Sequence, residues 1–148
     1  APAEARGARR ATLRRLSGDQ GLMHKSKLAG FIIDCCTDDL GGASAFWSGA
    51  LGMEQRGLDG SEGENYVRLL DAQHGIHIEV QKVAHESRVH LDIETDNVEA
   101  EVQRLEQLGA KRVKQVRTWW VLEAPTGQRF CVVRPQSPDF DRLATTWP

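Results

Sequence analysis

Residues 88–110 read RVHLDIETDNVEAEVQRLEQLGA. The opening residues alternate, so a strand would put Val89, Leu91 and Ile93 on one face and His90 and Asp92 on the other. An Asp- and Asn-rich turn follows, with Asp96 and Glu99 at the spacing of a helix capping box. Val98, Val102, Leu105 and Leu108 then recur at helical spacing, and Gly109 stands where a helix C-terminal glycine belongs. The stretch is strand, turn, helix, glycine.

The same series occurs earlier in FIIDCCTDDLGGASAFWSGALGM, residues 31–53, which ends on Gly52 and Met53. The segments that follow also match. NYVRLLDAQHGIHIEVQKV (65–83) and TWWVLEAPTGQRFCVVRP (118–135) each read as strand, tight turn, strand. Short strands near 54–57 and 112–116 complete a βαβββ unit that occurs twice, with about 50 residues per copy. Superposing the copies places Glu79 on Cys131, Ile32 on His90 and Asp34 on Asp92. The expected fold class is α+β, with modules over 27–84 and 85–138. Residues 1–26 are expected to be a flexible leader, and 139–148 a tail that packs loosely or reaches a neighbouring subunit.

The bulk properties fit one soluble domain. The chain has 148 residues, 40% hydrophobic and 27% charged, which is ordinary for a globular protein with a real core. No apolar run is long enough to cross a bilayer. The formal charge is −2, and residues 1–27 hold seven Lys/Arg against two Asp/Glu, so they carry +5 and the remainder −7. An acidic folded part argues against nucleic acid as a partner, because phosphate binding needs a basic surface. Cys35, Cys36 and Cys131 are an odd set with no CxxC, which fits a reducing cytoplasm better than a secreted disulfide framework.

Two strands carry a histidine and a carboxylate on one face: His77 and Glu79 in GIHIEV (75–80), and His90 and Asp92 in the opening stretch. Either these are ordinary wet faces of a sheet, or they are two walls of one site. The loop GLDGSEGENY (57–66) lacks GxxxxGK[ST] and is acidic, so it is no phosphate loop; it reads as a mobile hairpin tip over the cleft.

The stretches IIDCCTDDLGGASAFWSGALGM, RVHLDIETDNVEAEVQRLEQLGA and VLEAPTGQRFCVV, in this order and spacing, make the chain similar to the glyoxalase/bleomycin-resistance/dioxygenase (vicinal oxygen chelate) superfamily. It is similar in particular to the short bacterial glyoxalase-like domain proteins. The resemblance covers roughly residues 27–138. It implies two modules, each curling its mixed sheet around half of a cleft, and a homodimer. It also implies four metal-ligand slots, on the first and last strands of each module. Carried over, these are Ile32, Glu79, His90 and Cys131. Ile32 cannot bind a metal, and Cys131 stands where an oxygen or nitrogen donor is usual.

His77, Glu79 and His90 are therefore the expected metal ligands, with open positions for substrate on Fe, Zn, Mn or Ni. Glu79 and His90 are the expected catalytic pair; Glu79 has the alternative role of general base beside a carbonyl. Asp34, Asp92, Trp119, Trp120 and Cys131 are expected to line the substrate cleft, although one indole of Trp119–Trp120 must face inward and the other outward. The plain counterparts are that the aspartates cap loops or pair with an arginine such as Arg68 or Arg88, and that Cys131 is filler. Three functions follow. The first is a lyase- or isomerase-type enzyme acting on a carbonyl or vicinal-oxygen substrate, helped by a divalent metal. The second is a metal-free protein that sequesters a drug in the bleomycin-resistance manner, its acidic, Trp-lined cavity attracting a cation. The third is a non-catalytic accessory domain.

Overall fold

The computed structural model describes residues 23–148. The first module runs β1 (His24–Cys36), α1 (Leu40–Leu51), β2 (Glu54–Gly57), β3 (Tyr66–Leu70) and β4 (His77–Val83). The second runs β5 (Arg88–Thr95), α2 (Val98–Gln107), β6 (Lys111–Val116), β7 (Trp119–Glu123) and β8 (Arg129–Val133). A short helix, α3 (Phe140–Leu143), and a last strand, β9 (Thr145–Trp147), follow. This is the α+β arrangement of two βαβββ units read from the repeat.

The strands form one curled mixed sheet in the order β2-β3-β4-β1-β5-β8-β7-β6, with β9 added beside β1. The modules mirror each other. β1 runs parallel to β4 and β5 runs parallel to β8, and the two first strands join the modules as an antiparallel pair. Their register puts Ile32 opposite Glu79 on one side and opposite His90 on the other.

The two helices pack on the convex face, one over each module, and each seals its own core. Ile33, Leu69, Ile78 and Val80 pack under Leu40, Ala43 and Trp47 of α1. Val102 and Leu105 of α2 pack on Leu122 and Val132, with Trp120 and Phe130 against them. Each such buried side chain contributes on the order of 1.5–3 kcal/mol. Asp39 caps α1 by accepting from the Gly42 amide at 2.9 Å, and Gly52 ends it at φ 66°. The cap of α2 is Asn97, which accepts from Ala100 N at 3.1 Å, one residue beyond the expected Asp96. Asp96 instead accepts from Lys25 N at 2.8 Å and ties the turn to β1. Leu108 ends α2 exposed, outside the core stripe.

Both ends of the described chain are built into the fold. β1 starts at His24, three residues ahead of the expected module boundary, and His24 and Ser26 are buried. Residues 1–22 of the expected leader lie outside the described residues. The tail does not pack loosely. Phe140 is buried, β9 pairs with residues 24–26, and Trp147 Nε1 donates to Ser26 Oγ at 2.8 Å.

Gly30 matters for the site. A Cβ there would collide with the backbone carbonyl of His77, so only glycine lets β4 begin beside β1 at this level. The ladder of β1 on β5 also shifts register between Leu28 and Gly30.

Candidate functional site in the concave face

The concave face of the sheet encloses a cavity of about 800 Å³. Period-2 alternation aims Ile32 and Asp34 of β1, His77, Glu79 and Gln81 of β4, and His90 and Asp92 of β5 into it. Trp119 and Val121 of β7 and Cys131 and Val133 of β8 complete the far wall. The histidine and carboxylate faces of β4 and β5 thus line one cavity. The loop over 57–66 forms a 3-10 turn, Gly60–Glu64, and Ser61, Glu62 and Asn65 border the cavity.

The floor holds two polar groups separated by Ile32. On one side, His77 Nε2 and Glu79 Oε1 are 2.9 Å apart. On the other, His90 Nδ1 donates to Asp34 Oδ2 at 2.8 Å, and its Nε2 lies 3.4 Å from Asp92 Oδ1. Arg88 Nε also reaches Asp34 Oδ2, at 3.5 Å. Burial by itself lowers the pKa of the His90 imidazole, but its hydrogen bond to Asp34 and its close contacts with the acidic Asp92 and Cys131 outweigh that and push it up to about 11. Tyr66, which accepts from Gln81 Nε2 at 2.8 Å, is pushed up to about 12 by burial and then by the neighbouring acids, Glu79 foremost.

Three buried floor atoms have no hydrogen-bond partner: Asp34 Oδ1, His77 Nδ1 and Asp92 Oδ1. Their residues are 2%, 5% and 8% exposed. An unpartnered buried polar atom costs about 1–3 kcal/mol, so three of them on one cavity floor make that floor the candidate site.

The expected metal ligands are not brought together as one set. β1 lies between β4 and β5, so Glu79 and His90 stand two strand spacings apart, about 10 Å, with the apolar Ile32 between them. His77 is engaged with Glu79. The donors that do converge are His90, Asp92 and Cys131, whose ligand atoms all lie within 4.8 Å of one another. Cys131 stands directly opposite Asp92 in the β5–β8 ladder. This set fits a divalent ion. It offers nitrogen, oxygen and sulfur donors suited to a borderline metal once His90 Nε2 gives up its proton to the ion, Asp92 Oδ1 has no hydrogen-bond partner, and Asp34 holds the remote ring nitrogen of His90 as carboxylates do behind metal-bound histidines. Asp92 was placed by its sequence in the cleft and not among ligands. Its opposition to Cys131 depends on the strand order.

Of the paired indoles, Trp119 lines the cavity, while Trp120 lies against the α2 core with the Arg112 guanidinium 4.9 Å from its ring. Trp120 is therefore not a cleft residue. Cys35 packs against the first core and Cys36 is exposed; all three cysteines are free. The expected acidic cavity carries a different charge pattern: its lining includes six Lys/Arg (Lys82, Arg88, Lys114, Arg117, Arg129 and Arg134) against four Asp/Glu. Of these, Arg88 was expected as a partner of the aspartates and does reach Asp34; the other five come from separate strands and turns, which sequence reading did not bring together.

Two βαβββ units sharing one curled sheet, with a polar-floored cavity inside it, define a class of α+β domains. Within that class the chain belongs to the glyoxalase-like domain family, whose model matches residues 30–133. No curated protein matches its sequence significantly. Among solved structures it is similar to methylmalonyl-CoA epimerase from Mycobacterium tuberculosis, at 15% identity and a TM-score of 0.56 over 74% of this chain and 87% of that one. A methylmalonyl-CoA epimerase in complex with methylmalonyl-CoA and NH4+ matches at 15% identity and a TM-score of 0.52 over 77% and 99%. A hypothetical protein, BH1468 from Bacillus halodurans C-125, matches at 15% and 0.52 over 76% and 97%. At these identities the likeness is one of fold. No helix among the described residues is long and apolar enough to cross a membrane.

Proposed function

We propose that the protein is an isomerase-type enzyme that moves a proton at a carbon beside a carbonyl. The observation that carries this reading is the split floor: Glu79 on one side of Ile32, His90 on the other, and unpartnered buried polar atoms beside both. A flat carbonyl compound laid over the apolar Ile32 places its α-carbon toward Glu79 and its oxygen toward His90. Glu79 takes the α-proton, and the C–H electron pair moves into the carbonyl to form an enolate. The oxygen's charge develops facing His90, whose ring Asp34 orients. Return of the proton to either face of the carbon regenerates the carbonyl as substrate or isomer. His77, hydrogen-bonded to Glu79, positions the carboxylate. A divalent ion held by His90, Asp92 and Cys131 would supply Lewis-acid polarisation of the carbonyl when bound.

The epimerase relatives share the fold that this chemistry uses. The cations of the cavity lining work against the alternative of sequestering a cationic drug.

The test is α-proton exchange in D₂O, followed by NMR, on a panel of carbonyl acids and acyl thioesters that includes methylmalonyl-CoA. Elemental analysis of protein purified without a metal-affinity step runs beside it. Exchange should be seen with at least one compound and should fall about 10²–10⁴-fold in Glu79→Gln, the range general-base catalysis contributes. Bound metal, where found, should be lost in the Asp92→Ala/Cys131→Ala variant. No exchange with any panel member overturns the reading.

A further inference from the structure

We infer that the ligand of this cavity is an organic anion, whose acidic group is held by Lys114, Arg117 and Arg134 at the outer end of the second module. The inference rests on reading the cavity as a small-molecule site and adds the ligand's charge and orientation.

The cavity separates its charges. The acids Asp34, Glu79 and Asp92 lie on the floor, where Asp34 and Asp92 are buried. Lys114, Arg117 and Arg134 line the same cavity but are exposed. Among the described residues, none of these three has a carboxylate within 4.0 Å, whereas Arg88 and Arg129 are paired with Asp34 and Glu123; Lys82, the sixth cation of the lining and likewise unpaired, stands apart from them on β4 of the first module. Glu62 is the one acid of the lining outside the floor, and it belongs to the first module's 3-10 turn.

The sheet register brings the three cations to one region. A single row of opposed residues crosses the second module from Asp92 to Cys131 to Val121 to Lys114. Three strand spacings make that row about 14 Å long, the reach of a small molecule with a head and a tail. Arg117 occupies the turn between β6 and β7, and Arg134 directly follows β8; Arg134 also borders a smaller hollow together with Thr118, the other turn residue. Arg117 is the one non-glycine among the described residues with positive φ, at 50°. Such a conformation is uncommon for a side chain of this size, and here it accompanies a side chain that faces the cavity.

Between cations and floor the wall is apolar: Val116, Trp119, Val121 and Val133 line it. A ligand matching this order has an acidic head at the cations, a flat or aliphatic middle on Trp119, and a polar reacting end at the floor. Carboxylate, sulfonate and phosphate share the needed chemistry.

The experiment uses two probes that differ in one charge, naphthalene-1-sulfonate and the neutral naphthalene-1-sulfonamide. Their binding to the full chain is followed by tryptophan quenching and by calorimetry. The sulfonate should bind about tenfold more tightly at low salt, and the preference should shrink as ionic strength rises. Lys114→Gln/Arg117→Gln/Arg134→Gln should abolish the preference while leaving sulfonamide binding within about twofold. All three side chains are exposed, so the variant tests binding and not folding. Equal binding of the two probes, or a preference that survives the triple substitution, overturns the inference. Proton exchange that is lost in Glu79→Gln while the probes bind equally would keep the proposed chemistry and remove the anion. A charge preference without any proton exchange would do the reverse.

Discussion

Among the described residues, a buried carboxylate–histidine cluster behind α2 and another in the cavity differ in how completely their atoms are partnered. In the first, Glu101 of α2 is fully buried and both its oxygens are used twice. Oε1 accepts from Ser26 Oγ at 2.9 Å and Arg104 Nη2 at 2.7 Å, and Oε2 contacts His24 Nε2 at 2.7 Å and accepts from Arg104 Nε at 2.9 Å. Arg104 also lies 3.8 Å over the Trp147 ring. This cluster fastens the start of β1, α2 and the tail to one another. The second cluster, in the cavity, leaves Asp34 Oδ1, His77 Nδ1 and Asp92 Oδ1 unpartnered. Composition does not tell the two apart; saturation does. A saturated network holds a fold together, and the unsaturated one is the candidate ligand site.

Breaking the saturated cluster should have the largest effect on stability. Glu101→Leu leaves His24, Ser26 and Arg104 without their acceptor and should lower unfolding free energy by about 3–5 kcal/mol, read from the denaturant midpoint. Proton exchange per folded molecule should be retained. The same residue fixes a pH dependence. Burial tends to raise the Glu101 pKa, but hydrogen bonds from Arg104, His24 and Ser26 outweigh it and hold it below its ordinary value of 4.5. A carboxylate depressed on folding adds stability above its unfolded pKa and loses it as pH falls through the folded one. Wild-type stability should therefore decline below about pH 4.5, and Glu101→Gln should flatten that decline. A midpoint shift under 1 kcal/mol for Glu101→Leu would erase the contrast between the clusters.

The cavity cluster should respond the opposite way. Asp92→Asn removes a carboxylate that has one unpartnered oxygen, so stability should change by roughly 1 kcal/mol or less. Proton exchange should fall sharply, and so should any metal found with the wild-type protein. If the variant instead unfolds as readily as Glu101→Leu, the cavity carboxylates are structural.

The smallest effect separates neighbouring indoles. Trp119→Phe should remove most of the quenching by naphthalene-1-sulfonate with little change in stability. Trp120→Phe should keep the quenching and cost about 1 kcal/mol through lost packing and the Arg112 contact.

Periodicity made most of the fold legible. The 88–110 and 31–53 stretches are a strand and a helix in each module, and Gly52 and Gly109 lie at the helix ends with positive φ. The helix cap was misplaced by one residue because Asp96 has a tertiary partner, Lys25 N, that no local pattern reveals. Burial was harder to read. On β5 the apolar Val89 and Leu91 are 59% and 52% exposed, while Asp92 and Glu94 are buried. Alternation separates two faces but does not say which one a curled sheet encloses.

The sequence by itself determined the repeated βαβββ unit, the opposite faces of β4 and β5, and the candidate side chains Glu79, His90, Asp34 and Asp92. These follow from local geometry, where side-chain direction depends only on the period of the backbone. Tertiary structure alone decided which of those side chains meet. Strand order put β1 between β4 and β5, which separated Glu79 from His90 across Ile32 and grouped His90 with Asp92 and Cys131. It also gathered Lys114, Arg117 and Arg134 around the same cavity. Such neighbourhoods are set by pairing between distant segments, and pairing is a property of the folded sheet that no single strand's sequence carries.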